Sequence, residues 1–118
     1  MYKIDLCDVF WNNTCIFTAP EPVSTALHHK DNLIIFYEAP VRHMDIDSER
    51  RNILSLTPNG MIAWRLENPS EWSIGSRTTS YTALWINKEN GKYVGHDGEN
   101  QNYFDPDTGE IYDRIFTK

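Results

Sequence analysis

Three tight-turn signatures, Pro58-Asn59-Gly60, Glu89-Asn90-Gly91 and Asp107-Thr108-Gly109, stand between short apolar runs and constrain the fold more than any other feature of the chain. Each ends in a glycine, which takes the positive φ of a tight hairpin without steric penalty. The intervening runs are rich in Ile, Leu, Val, Trp, Tyr and Phe, and no long window carries a helical period. The pattern predicts strands near 14–18, 33–38, 41–46, 53–57, 61–66, 81–87, 92–96, 102–105 and 110–116. Asp47–Asn52 is the one helical candidate, short and polar.

The turns also reveal an internal likeness. Sliding the chain by 49 residues sets Gly60 on Gly109, Ile62 on Ile111 and Arg65 on Arg114. The run 33-LIIFY-37 then falls on 82-TALWI-86, and 42-RHMDID-47 on 91-GKYVGH-96. Two units result, 32–66 and 81–115, with a half unit at 4–20 in which Pro20 falls on Pro69. Consecutive hairpins give an antiparallel meander of about four strands per unit. The stretch DPDTGEI, with WRL after PNG in the earlier unit, resembles the outer hairpin of a β-propeller blade of the quinoprotein-like or Kelch-like kind. That resemblance implies two blade-like sheets within one domain spanning 1–118. Propellers close with four or more blades, and two and a half are present here. The expected fold is therefore an all-β meander of 8–9 strands in two sheets packed on each other, with a sandwich or barrel as variants and association of copies as a further route.

One hydrophobic core fits 118 residues of which 40% are hydrophobic and 13% aromatic. The longest apolar run, Leu33 to Tyr37, is far shorter than a membrane span, and no signal-peptide pattern opens the chain; a cytoplasmic location is expected. Seventeen acidic against 11 basic side chains give a net charge of −6. That sign disfavours nucleic-acid backbones and suits a basic protein partner. A two-residue turn at Asn12-Asn13 would set Phe10 opposite Cys15 and Cys7 opposite Thr18, so the two cysteines are expected as buried free thiols.

Chemistry-bearing groups are sparse. His43, Asp45 and Asp47 alternate on one side of a predicted strand and could hold a metal or do acid–base work, although a solvated polar face explains them as well. His28-His29 is read as a loop pair before the strand at Leu33. The segment 96–107 gathers His96, Asp97, Glu99, Asp105 and Asp107 but lacks the spacing of a calcium loop. Ser24 and Ser80 have no nucleophile elbow, neither cysteine has a catalytic context, and no phosphate loop occurs. No cofactor is expected.

Aromatic residues say more. Alternation along 61-MIAWRL-66 puts Ile62, Trp64 and Leu66 on the core face, while 81-YTALWI-86 carries apolar bulk on both faces. Trp72 lies in the long linker 67–80, where binding residues concentrate, and Trp and Arg dominate interface hot spots. Trp72 with Arg77, flanked by Asp97, Glu99, Asp105 and Asp107, is the expected contact surface. The expected function is non-catalytic protein binding, such as an immunity-type inhibitor that neutralises a toxin or other basic protein. The alternatives are a metal or small-ligand enzyme using His43, Asp45 and Asp47, and a self-assembling structural module.

Overall fold

The computed structural model describes residues 1–39, 47–69, 72 and 79–117. Among the described residues it is β-sheet, with one short α-helical turn, α1 (Asp47–Arg50). Eleven strands form three antiparallel meanders. The first sheet is β1 (Tyr2–Asp5), β2 (Asp8–Trp11) and β3 (Thr14–Thr18). The second is β4 (Val23–His29), β5 (Asn32–Tyr37), β6 (Ile53–Leu56) and β7 (Ile62–Arg65). The third is β8 (Ala83–Ile86), β9 (Tyr93–His96), β10 (Asn100–Phe104) and β11 (Ile111–Phe116). Both expected four-stranded sheets are there. The N-terminal segment, expected as half a unit, makes a third sheet, and no closed barrel forms.

Eight of the expected strands are present; the ninth, 41–46, lies outside the described residues. The additions are β1, β2 and β4. In β4 the sequence VSTALHH offers little apolar alternation, because a register shift between Val23 and Thr25 interrupts the strand: Val23 and Ala26 pack on one core and Leu27 on the other, beside β8 at the join of two sheets. His28 and His29 thus end a strand rather than occupy a loop.

Turn chemistry sets the hairpins. Asn12 and Asn13 both take positive φ (47° and 71°), the geometry of a two-residue turn that matches strand twist. Phe10 does lie opposite Cys15, but a bulge after Val9 places Asp8, not Cys7, opposite Thr18. The expectation of buried thiols fails: Cys15 is exposed on the outward side of the first sheet, and Cys7 is half-buried in the turn before β2.

The second sheet is covered on both faces, which explains the unbroken apolar run of β5. One face presents Leu33, Ile35, Tyr37, Leu54 and Leu56 to Val9 and Ala19 of the N-terminal segment. The other presents Ile34, Phe36, Ile53, Trp64 and Leu66 to Tyr81, Leu84 and Phe104. Burying one such side chain contributes roughly 1.5–3 kcal/mol, so these two layers dominate the stability. Trp64 and Leu66 enter the core as expected, but Ile62 is 43% exposed because the β6–β7 register shifts at Leu56. Gly95 has no side chain where Ile53, Leu66 and Tyr81 crowd within 3.1–3.4 Å of the place a Cβ would take. In β8 only Leu84 reaches the core; Trp85 lies on the far face, stacked with His96 at 5.9 Å between ring centroids.

The sheets are joined in a repeated way. Gly60, in the turn before β7, sits against Ile16 of the first sheet, and Gly109, in the turn before β11, sits against Trp64 of the second. Both have positive φ, +85° and +75°. The indole Nε1 of Trp64 donates to the Pro106 carbonyl at 3.0 Å, and Asp107 accepts from His29 and Lys30 at 2.8 Å each. Those two donors hold the Asp107 carboxyl below the usual carboxylate range. The 49-residue offset therefore relates the last hairpins of two sheets. The runs 33–37 and 82–86, which it also aligns, are the second strand of one sheet and the first of the next.

Candidate functional site

The expected contact residues separate onto opposite ends of the third sheet. Asp97 and Glu99 belong to the β9–β10 connection, Asp105 and Asp107 to the β10–β11 turn. Asp105 is half-buried and accepts the Asp107 N–H at 2.8 Å, an Asx arrangement that holds its own turn. Asp107 is exposed and paired as above. Glu99 is half-buried, and its carbonyl accepts the Thr117 N–H at 2.8 Å.

Asp97 is only 4% exposed and is held as a buried anchor. Its Oδ1 accepts the N–H groups of Glu99 and Asn100 at 2.9 and 2.8 Å. Its Oδ2 accepts from Trp72 Nε1 at 2.8 Å and from Asn102 Nδ2 at 3.0 Å. Burial alone would raise its pKa, but the donors from Asn102, Trp72, Asn100 and Glu99 outweigh that and lower it. A carboxyl depressed in the folded state stabilises fully above its unfolded value, about 4, and that contribution is lost as pH falls through the lower folded value. Denaturation midpoints taken from pH 7 to pH 2.5 should therefore fall more steeply below about pH 4 for the wild type than for Asp97→Asn. At pH 7 the Asp97→Asn amide turns a donor against two donors, at a cost of about 1–3 kcal/mol. Parallel profiles for the two proteins would contradict this account of Asp97.

Trp72 is half-buried and packs on the core between the second and third sheets. An arginine does accompany it: the guanidinium of Arg114 lies 3.8 Å from its ring centroid. Arg77 lies outside the described residues, as do His43 and Asp45; the backbone of Asp47 opens α1. Arg114 stands on β11, and its Nε donates to Asn102 Oδ1 at 3.0 Å. A chain of contacts thus runs from Arg114 through fully buried Asn102 to Asp97 and back through Trp72. Sequence reasoning missed Arg114 because the residues are 42 positions apart in the chain. The one available signal was the alignment of Arg114 with Arg65, which marked the position without its neighbour.

β11 is the outer edge of its sheet, and five of its six residues are exposed. Tyr112, Ile115 and Phe116 are 53%, 44% and 57% exposed. Glu110, Asp113 and Arg114 stand among them, also exposed. The Arg114 N–H is taken by Asp113 Oδ1 at 2.9 Å, so the middle of this edge is closed to an added strand. A concavity of about 380 Å³ at the start of β11 is lined by Tyr93, Phe104, Pro106 and Tyr112 with Lys92 and Asp105. The Lys92 ammonium lies 5.7 and 5.9 Å from the ring centroids of Tyr103 and Tyr112.

Among the described residues, no three His, Cys, Asp or Glu side chains converge to hold a metal ion. No described helix is long and apolar enough to cross a membrane. No protein family, curated protein or solved structure matches the chain.

Proposed function

We propose that this chain is a non-catalytic protein-binding module whose contact surface is the outer edge of its third sheet. The observation that carries the reading is the exposure of Tyr112, Ile115 and Phe116 along β11, on both sides of this edge strand. These are large apolar side chains left in water along one edge strand, set among ionised groups, as at the core and rim of an interface. The net charge of −6, with Asp107, Glu110 and Asp113 near these side chains, favours a basic partner through steering and through exclusion of wrong ones. A cytoplasmic immunity-type inhibitor that occludes a basic toxin is the form of the proposal that best uses both features, by analogy of size and charge. The stacked meanders, with β4 and β8 side by side and Gly60 and Gly109 each on the preceding sheet, support a blade-like reading of the architecture.

The test is affinity capture from the native source with wild-type protein and a Tyr112→Ser, Ile115→Ser, Phe116→Ser variant. A partner held at physiological salt by the wild type and lost by the variant is expected. Equal retention by both, or no partner for the wild type, rules the surface out.

A further inference from the structure

We propose that Arg114, clamped by Trp72 and Asn102, is a carboxylate-binding fork that engages one acidic group on the partner. The inference rests on the reading of this edge as a binding surface and specifies what the edge recognises.

Three observations carry it. Trp72 lies under the guanidinium at 3.8 Å, and Asn102 Oδ1 fixes its Nε at 3.0 Å, so both the plane and the direction of the group are set before a ligand arrives. Asn102 itself cannot swing away: it is 0% exposed, and its Nδ2 donates to the Gly95 carbonyl and to Asp97 at 3.0 Å each. With Nε engaged inward, the two Nη groups of this exposed side chain have no hydrogen-bond or ion-pair partner among the described residues. A guanidinium held this way presents a planar pair of donors, the arrangement that matches two oxygens of an oxyanion. Its ordering entropy is already spent, which favours binding.

The surroundings select among oxyanions. Asp113 is the neighbouring residue, and the Asp97 carboxylate lies beyond Asn102. These charges oppose a phosphate dianion more than a carboxylate monoanion. Phe116 follows two residues along the strand, on the same side of the sheet as Arg114, and is 57% exposed. A carboxylate carried next to an apolar group therefore fits the pair. Within a basic partner surface, one such acid would fix the register of docking while the remaining charge steers.

The test titrates ¹⁵N-labelled wild-type protein with 3-phenylpropionate, its neutral amide, inorganic phosphate and sodium chloride, following the Arg114 Nε–H and Trp72 Nε1–H resonances. The carboxylate should shift both resonances saturably in the millimolar range, the amide and chloride should not saturate, and phosphate should bind more weakly. Arg114→Lys, which keeps the charge but loses the fork, should weaken binding about tenfold or more. Equal response to acid and amide, tighter binding of phosphate, or unchanged affinity in Arg114→Lys overturns the proposal. The wild-type comparison of acid with amide decides the matter even if the variant folds poorly. A partner captured equally by Arg114→Lys and wild type would sink the fork and spare the binding surface. Saturable carboxylate binding without any captured partner would do the reverse.

Discussion

Gly109→Ala should destabilise the protein by about 3 kcal/mol or more, and the reason separates into two measurable parts. The φ of Gly109 is +75°, a conformation that costs an L-residue roughly 1–2 kcal/mol. A Cβ there would also lie 2.6 Å from two ring carbons of Trp64. That ring has nowhere to go, since its Nε1 is bonded to the Pro106 carbonyl and its face meets Phe104 edge-on at 5.4 Å between centroids. Forced overpacking adds about 1–3 kcal/mol. Gly91→Ala is the control: its φ is +71°, yet nothing lies within 4 Å of the added carbon, so only the backbone part, about 1 kcal/mol, should appear. Gly60→Ala should behave like Gly109→Ala, because its Cβ would meet the Ile16 carbonyl oxygen at 2.6 Å. For a chain of this size the thermal midpoint of Gly109→Ala should fall by about 10 °C or more. In a Trp64→Ala background the added cost of Gly109→Ala should shrink to the Gly91→Ala value, since the two sites couple through contact. Equal losses for Gly109→Ala and Gly91→Ala would show that the close approach of the sheets contributes nothing.

Asn52→Ala should cost about 3–5 kcal/mol, a large fraction of the stability of a small domain. Asn52 is 0% exposed, and its side chain replaces a strand at the place where the second sheet meets the chain entering the third. Its Nδ2 donates to the carbonyls of Tyr37 and Tyr81 at 2.7 and 2.9 Å, and its Oδ1 accepts the Tyr81 N–H at 2.9 Å. Removal strands three buried backbone groups, each at about 1–3 kcal/mol before relaxation or entry of water. Asn52→Asp should be worse at neutral pH, because a carboxylate satisfies the Tyr81 N–H but opposes two carbonyl oxygens without water. Urea denaturation with an unchanged m value measures the loss. A cost below about 1 kcal/mol for Asn52→Ala would mean that these bonds are replaced on mutation.

Neither effect could have been assigned from the sequence. Gly60 and Gly109 were legible as turn residues, because the positive φ of a tight turn depends only on the few residues within it. That the same glycines are where one sheet abuts the next depends on Ile16 and Trp64, 44 and 45 positions earlier. Asn52 looked like the end of a polar helical stretch, and nothing local marks it as a bridge to Tyr81. The candidate surface divides in the same way. Trp72 was singled out for its residue type and its linker, yet its ring and indole N–H are committed to Arg114 and Asp97. Asp97, expected among the acidic groups of the contact surface, is a buried acceptor of four hydrogen bonds.

By itself the amino-acid order determined that the chain makes antiparallel meanders, where most of the hairpins turn, and that Trp64 lies in a core. Those outcomes depend on φ preferences and on two-residue alternation, which act over a few bonds and are written locally. Only the tertiary structure decided that there are three layers, that β1, β2 and β4 exist, and that Arg114 meets Trp72. The register of distant segments is fixed when apolar faces pack, and packing energy belongs to pairs of surfaces that no short stretch of sequence contains.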